Sequence, residues 1–291
     1  MARDQDMATD AEEERVQAEL KGKYEALKGI LKDLGGVVVA FSGGVDSTLL
    51  LKAAVEALGD RALAVTVSSP IHAGFELEEA KALAQQIGAR HRVVEADPLA
   101  NEAVVHNPPD RCYHCKRGVF GKLLEIAREE GLDIVADGSN VDDAGDYRPG
   151  MRALAELGIR SPLKEAGLGK TEIRGISRAL GLPTWDKPPY ACLATRIPYG
   201  ETLTPERLQR VEAAEELVRS LGVKQVRVRD HGKIARIEVP AEDFESVMGG
   251  DNRTKLVEEL HKIGYEFVTL DLDGYRMGSM NVGLGGTTAQ K

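Results

Sequence analysis

An apolar stretch that breaks into a short turn with two glycines constrains the fold of this chain more than any other feature. Residues 37–41 are Val-Val-Val-Ala-Phe, and apolar residues resume with helical spacing after the turn. Glycine adopts backbone conformations that a Cβ forbids and lets amide groups approach an anion closely. A helix that follows such a turn favours negative charge at its first N–H groups. The stretch therefore predicts a strand, a helix and, between them, a phosphate-binding loop formed by Ser42, Gly43, Gly44, Val45, Asp46 and Ser47.

The loop differs from the G-x-x-x-x-G-K-[ST] nucleotide loop because no lysine follows its glycines. Its sequence Ser-Gly-Gly-Val-Asp-Ser instead resembles the pyrophosphate loop of the adenine-nucleotide alpha-hydrolase superfamily. This resemblance implies that the chain binds ATP, releases pyrophosphate and leaves AMP on a substrate. We therefore expect adenylation and not phosphorylation.

Bulk properties limit the classes of function. At 291 residues the chain exceeds the usual length of one domain. No apolar run approaches the roughly 18 residues of a membrane span. The formal net charge of -9 disfavours a broad nucleic-acid surface, so small substrates fit better. With three cysteines and no visible secretory signal, the expected location is the cytoplasm.

Strand and helix patterns alternate up to about Gly200, which predicts an α/β domain with a Rossmann-like parallel sheet. Ligands bind beyond the carboxyl ends of the strands in such sheets, where Ser42, Ser68 and Asp137 would lie together to bind ATP. From Thr204 the pattern changes to helix, hairpin, helix and strand, which predicts a small α+β domain of αββαβ order. The expected segments are a flexible N-terminus at 1–20, an ATP-binding domain at 21–200, the small domain at 201–283 and a flexible tail at 284–291.

The three cysteines form a possible metal-binding set. Cys112 and Cys115 have C-x-x-C spacing, which lets two thiolates bind one metal ion or one cluster edge, and Cys192 is the remaining thiol. A zinc site would need a further ligand such as His106 or His114. Three thiolates could instead hold three irons of a cubane cluster. Buried, inert cysteines are the alternative to both.

The segment around Cys192, residues 187–200, resembles the cysteine segment of the LarE family. Members of that family are ATP-dependent sulfur transferases that help to build the nickel-pincer nucleotide cofactor. The resemblance covers most of the chain from Gly35 to Gly200. It extends through residues 137–143, 146–150 and 161–163, with weaker support from the hairpin residues 227–232.

The resemblance implies a pyridinium dicarboxylate mononucleotide as substrate, a homo-oligomeric protein, and Cys192 as the residue associated with sulfur donation. A carboxylate is a poor electrophile until its oxygen is converted into the good leaving group AMP, so adenylation would precede thiolation. We expect Asp46 to meet a Mg²⁺ ion that neutralises the pyrophosphate, and Arg196 to assist catalysis. The expected substrate-binding residues are Asn140, Asp142, Asp143, Arg196, Arg227 and Arg229. For each arginine, the alternative role is a solvated surface charge or a structural salt bridge.

The source of the sulfur has two interpretations. Family members with a lone cysteine at the position of Cys192 resemble sacrificial donors, which lose the sulfur of that side chain and end as dehydroalanine. This chain adds Cys112 and Cys115. Our hypothesis is therefore that the three cysteines ligate a [4Fe-4S] cluster whose open iron carries the transferable sulfide.

Three other functions compete with sulfur transfer to a small molecule. A tRNA thiolation enzyme would also combine the loop with C-x-x-C and a distant cysteine, but the acidic net charge disfavours it. Amide-forming relatives such as NAD or GMP synthetases lack a counterpart of the Cys192 segment. A regulatory module that binds ATP or a cluster is the non-enzymatic alternative.

Overall fold

The structure of the chain, a computed structural model, describes residues 2–145, 149–276 and 278–280. Residues 146–148 of the family resemblance and the tail at 284–291 lie outside the described residues. None of the helices within the described ranges is long and apolar enough to span a membrane.

The chain divides into two compact units. Unit 1 comprises Met1–Ser68, Gly74–Ala96 and Lys116–Pro189, and unit 2 comprises Ser69–Ala73, Asp97–Cys115 and Tyr190–Lys291. The sequence places one boundary near Gly200, whereas two short earlier segments also belong to unit 2. Apolar packing explains this difference, because Ile71 and Val104 from those segments are buried in one cluster with Leu193.

A parallel sheet forms the centre of unit 1. Its strands are β1 (Val37–Ala40), β2 (Ala62–Ser68), β3 (Arg90–Glu95) and β4 (Val135–Ala136). They lie in the order β3-β2-β1-β4, and all pairs are parallel. Val38 pairs with Leu63 on one side and with Val135 on the other. This register brings the carboxyl ends of β1, β2 and β4 to one edge, and the predicted α/β class is confirmed.

Helices cover both faces of this sheet, as its apolar side chains show. Val37 and Val39 are buried in one cluster with Leu27 and Leu50, whereas Val38 is buried in another cluster with Leu123. Alternate residues of β1 therefore support opposite layers. The helices are α1 (Ala2–Leu34), α2 (Val45–Leu58), α3 (Gly74–Ile87), α6 (Pro149–Glu156), α7 (Pro162–Glu165) and α8 (Lys170–Ala179).

The helix that carries C-x-x-C begins earlier than the sequence predicts. The pattern predicts a helix from Gly118 to Glu130, but the structure has α5 at Arg111–Glu129. Gly118 lies inside this helix, where a Cβ would meet nothing within 4 Å, so the glycine marks no boundary. The low helix propensity of glycine lowers the stability of α5 only modestly. Both cysteines of the motif therefore lie in the first turns of a helix, three residues apart on one face.

Unit 2 contains a small mixed sheet packed against helices. Its further elements are α4 (Glu102–Val105), α9 (Pro205–Arg219), β5 (Arg227–His231), β6 (Ile234–Glu238), α10 (Phe244–Met248), α11 (Asn252–Lys262) and β7 (Phe267–Leu270). β5 and β6 are antiparallel, and β7 adds parallel to β6. The predicted αββαβ order is present, with the short α10 inserted before α11.

A buried carboxylate ties α9 to this sheet. Asp230 is fully buried, and it accepts hydrogen bonds from Arg207 at 2.8 Å, from Arg210 at 2.5 Å and from the Gly232 N–H at 2.9 Å. Burial alone would raise the pKa of this carboxyl, but the two arginines and the amide hold it below its ordinary value. Asp230 therefore remains charged at neutral pH and fixes the hairpin on α9.

We predict that Asp230→Asn lowers the free energy of unfolding by about 3 kcal/mol, because two arginines lose their buried partner. The contribution should be present above the ordinary Asp pKa of about 3.9 and should disappear as the pH falls below it. Urea denaturation followed by circular dichroism measures the loss, and hydrogen exchange of β5 and β6 locates it.

The matched control is Glu242→Gln, which removes a carboxylate from an exposed position of the same unit. It should change the free energy of unfolding by less than about 0.5 kcal/mol. Equal losses in the two variants would contradict a special role for Asp230.

Candidate active site

The phosphate loop connects β1 to α2 and depends on one glycine for its shape. Gly43 has a φ of +67°, and a Cβ at this position would lie 3.2 Å from the Cα of Ala80 in α3. Gly44 has an ordinary φ of -79° and is the N-cap of α2. Because Gly44 has no side chain, no side-chain cap occupies the first N–H groups of the helix. These N–H groups are therefore available to bind a phosphate at the N-terminus of the helix.

Two hydroxyls line the loop. The Oγ atoms of Ser42 and Ser47 lie 3.2 Å apart, and the Ser42 Oγ accepts a hydrogen bond from the Gly44 N–H at 3.4 Å. Ser47 is buried, whereas Ser42 is exposed. The structure thus brings together the predicted loop residues, and it places Val45 and Asp46 in the first turn of α2.

Asp46 carries the carboxylate of the loop. Its ion-pair partner is a lysine that the sequence pattern does not predict. Lys170 Nζ is 2.7 Å from Asp46 Oδ1 and 2.5 Å from Oδ2. The Asn140 amide also donates to Oδ1 at 3.3 Å. Carboxylate oxygen is the ligand type that Mg²⁺ prefers, and the ammonium group shows that a cation fits at this position. Asp46 could therefore hold Mg²⁺.

The turn after β4 lies against the first turn of α2. A Cβ on Gly138 would be 3.1 Å from the Ser47 nitrogen and 3.2 Å from the Asp46 Cβ, so only glycine permits this approach without a shift. Asn140 then reaches Asp46 as described above. In the sequence, this turn is indicated by residues 137–140, Asp-Gly-Ser-Asn, which are typical turn residues.

The acidic residues of this turn bind backbone amides. The Asp143 carboxylate accepts from the Asn140 N–H at 2.9 Å, and the Asp142 carboxylate accepts from the Lys170 N–H at 2.6 Å. Asp142 thereby fixes the start of α8. These contacts position Asn140 and Lys170 beside Asp46, while substrate binding by Asn140, Asp142 and Asp143 stays a prediction.

Asp137 follows β4 and is buried. Its carboxylate accepts hydrogen bonds from the Ser139 hydroxyl at 2.5 Å and from the Ser161 hydroxyl at 2.6 Å. Ser68 ends β2, and its carbonyl accepts from the Ala96 N–H at 3.0 Å. Both lie at the carboxyl edge of the sheet as predicted, while their contribution to ATP binding stays a prediction.

A second lysine from outside the loop reaches it. Lys187 Nζ donates to the Gly43 carbonyl at 2.9 Å and to Glu79 at 2.7 Å. Its side chain is largely buried. No local pattern in the sequence indicates either lysine, because each is more than 120 positions from its loop partner. The fold thus supplies cationic groups that the loop sequence lacks.

The three cysteines all belong to unit 2, and each is half-buried. Arg111 precedes the C-x-x-C motif and is 3% exposed. It donates to the Ala194 carbonyl at 3.2 Å, and its Nη2 is 4.0 Å from Cys112 Sγ. Burial opposes the charge of this guanidinium, but its interactions with the Cys192 and Cys112 side chains raise the pKa of Arg111 above its ordinary value. Arg111 is therefore a fixed cation beside two of the thiols.

Arg196 holds the backbone around Cys192. Its guanidinium makes a paired contact with the buried Glu215, at 2.7 and 2.9 Å. It also donates to the carbonyls of Ala191 at 2.5 Å and Cys192 at 3.0 Å. Burial alone would raise the pKa of the Glu215 carboxyl, but Arg196 lowers it. The structure therefore shows Arg196 in a positioning role, and its expected contact with substrate stays a prediction.

The two arginines of β5 are also buried. Arg227 lies over the ring of Tyr275, 5.4 Å from its centroid, and burial together with the charge of Arg196 lowers the pKa of Arg227 to about 10. Arg229 contacts Glu238 at 2.7 Å and the Thr195 carbonyl at 3.1 Å. The structural salt bridge that the sequence left open for Arg229 is thus present. Substrate binding by either arginine stays a prediction.

No three His, Cys, Asp or Glu side chains gather into a metal-binding group among the residues that the structure describes. Cys112 and Cys115 share a helix face, and Cys192 precedes the short 3₁₀ helix Leu193–Arg196. Three thiols are the correct donor type for an iron–sulfur cluster. The donors fit the cluster in kind, but they are not preassembled around a metal position.

Comparisons with known proteins show which parts of the chain have relatives. The family model described as NAD synthase matches residues 20–109, which contain the phosphate loop. An uncharacterised protein of Synechocystis sp. is 45% identical over 262 residues, which are 90% of this chain and 98% of that protein. A tRNA-specific 2-thiouridylase of Caulobacter sp. is 30% identical over 192 residues, but these are 52% of this chain and 46% of that enzyme.

A relative with a named activity matches along nearly its whole length. It is the pyridinium-3,5-bisthiocarboxylic acid mononucleotide synthase of Lactiplantibacillus plantarum, which is 41% identical over 265 residues. The aligned region covers 91% of this chain and 95% of that enzyme, and so includes the loop, the Cys192 segment and most of unit 2. The chain therefore belongs to the LarE family of ATP-dependent sulfur transferases, which have a pyrophosphate-loop ATP-binding domain.

Proposed function

We propose that the protein converts carboxylates of pyridinium-3,5-biscarboxylic acid mononucleotide into thiocarboxylates, in the synthesis of the nickel-pincer nucleotide. The observation that carries the proposal is the uncapped N-terminus of α2 after the Gly43 turn, with Asp46 in its first turn. Family membership supports the sulfur chemistry, because the relative from Lactiplantibacillus plantarum is named for the bisthiocarboxylic product. We further propose that the protein is cytoplasmic and homo-oligomeric.

The first step is adenylation in unit 1. A carboxylate oxygen of the substrate attacks the α-phosphorus of ATP, the bond from this phosphorus to the bridging oxygen breaks, and pyrophosphate leaves. The N–H groups of the first turn of α2 and the ammonium groups of Lys170 and Lys187 supply positive charge for the phosphates. Mg²⁺ held by Asp46 would neutralise the pyrophosphate further.

The second step transfers sulfur and uses the cysteine-bearing unit. In the sacrificial form, the Cys192 thiolate attacks the acyl carbon and AMP leaves, which gives a thioester. Removal of the Cys192 Cα proton then breaks the bond between Cβ and Sγ. The sulfur leaves with the product as a thiocarboxylate, and residue 192 becomes dehydroalanine.

A cluster-based form is the second version of this step. A [4Fe-4S] cluster held by Cys112, Cys115 and Cys192 would supply sulfide and leave the protein intact. The donor type and the common unit of the three cysteines support it. Arg111 would then balance part of the negative charge of the thiolates.

Cys192→Ala should separate the two steps. The variant should retain isotope exchange between pyrophosphate and ATP in the presence of the carboxylate substrate, because no thiol takes part in adenylation. It should lose formation of the sulfur-containing product entirely in either version of the sulfur step. Formation of product by this variant would contradict the proposal.

Cys115→Ala tests the source of sulfur. If Cys192 is sacrificial, this variant still makes one sulfur-containing product per chain, and intact-protein mass spectrometry shows loss of one H₂S from Cys192. If a cluster supplies sulfide, anaerobically reconstituted wild type keeps its mass and makes more than one product per chain when sulfide is added. Cys115→Ala should then lose both bound iron and multiple turnover.

The tRNA thiolation alternative has weaker support. The thiouridylase aligns with about half of this chain, and the net charge of -9 disfavours a tRNA surface. Filter binding of bulk tRNA at physiological salt tests it directly. Tight, salt-dependent binding would favour tRNA as the substrate.

A further inference from the structure

The ion pair between Lys170 and Asp46 occupies the carboxylate that a divalent cation needs. The ammonium group lies within 2.7 Å of both carboxylate oxygens, and the Asn140 amide takes another position on Oδ1. A cation that entered this carboxylate would have to displace the ammonium group, since like charges at such a distance repel strongly. The two cations therefore compete for Asp46.

The surroundings of Lys170 fix its backbone and leave its ammonium end movable. Its N–H donates to Asp142 at 2.6 Å, and the preceding Gly169 N–H donates to Glu172 at 2.7 Å. The Lys170 side chain is 39% exposed, whereas that of Asp46 is 23% exposed. Rotation of the lysine side chain would uncover the carboxylate without a change in α8. The ammonium group could then meet another anion near the loop.

We propose that Lys170 is a placeholder cation that keeps divalent ions off Asp46 until a nucleotide binds. The inference rests on the proposed use of ATP. When ATP binds, its phosphates attract the ammonium group, Asp46 becomes available, and the divalent ion binds together with the nucleotide. Lys170 thus acts as the lysine that the loop sequence lacks. By linkage, nucleotide and divalent ion each raise the affinity of the protein for the other.

Manganese binding measured by electron paramagnetic resonance tests the inference without turnover. The wild type should bind Mn²⁺ weakly alone and more tightly when ATP is present. Lys170→Met keeps much of the length of the side chain but removes its charge. It should raise the ATP-free Mn²⁺ affinity about tenfold and reduce the gain produced by ATP, within the usual range of coupling energies.

The matched control is Lys164→Met, which removes an exposed lysine of α7 in the same unit. Its Mn²⁺ affinity should equal that of the wild type, which excludes a general effect of net charge. Adding Asp46→Asn to Lys170→Met should abolish the new affinity and so locate the ion. Circular dichroism of each variant confirms that it is folded.

An unchanged ATP-free Mn²⁺ affinity in folded Lys170→Met would overturn the inference, as would an equal gain in Lys164→Met. If Lys170→Met does not fold, Lys170→Gln decides by the same criteria. The measurement contains no carboxylate substrate and no sulfur source. Failure of sulfur transfer would therefore refute the proposed function and leave the result for Lys170 standing, and the reverse also holds.

Discussion

The close approach of the turn after β4 to the first turn of α2 is the constraint on which the candidate site depends. Gly138 permits this approach, because a Cβ would collide with the backbone at Ser47. The approach brings the Asn140 amide to Asp46, and Asp142 then anchors the start of α8, from which Lys170 reaches the same carboxylate. Two segments that are distant in the sequence, the turn after β4 and the start of α8, thus meet the first turn of α2 because Gly138 lacks a side chain.

Buried charge has a different role in unit 2. Arg196 and Glu215 are each 2% exposed, and such a pair contributes little net stability because both groups lose their hydration. Its effect is positional, since the same guanidinium binds the carbonyls of Ala191 and Cys192. Arg111 adds a bond to the Ala194 carbonyl and places a charge near Cys112. The backbone around Cys192 therefore accepts hydrogen bonds from two cations, Arg111 earlier in the chain and Arg196 after it.

The sequence predicts the parts of this structure that depend on local patterns. Val37–Ala40, the loop and α2 follow from an apolar run, a positive-φ glycine and helical spacing, and the hairpin follows from alternation on either side of Gly232. The early start of α5 was missed because Gly118 resembled a boundary, although nothing near that glycine opposes a helix. The partners of the loop and of the arginines depend on tertiary contacts, which local spacing does not encode. Glu215 is an exception, because a charged residue on the buried face of α9, beside Ala214, indicates a buried partner of opposite charge.

The arrangement of charges also suits a substrate that is itself anionic. A pyridinium dicarboxylate mononucleotide carries carboxylates and a phosphate, so a divalent ion bound at Asp46 without ATP would attract the substrate to the position that the nucleotide must occupy. An ammonium group paired with Asp46 presents a weaker and already neutralised charge. If Lys170 is displaced only by the phosphates of ATP, the nucleotide binds before the carboxylate that attacks it. The order of binding would then follow from the competition between two cations for one carboxylate, without any large movement of the fold.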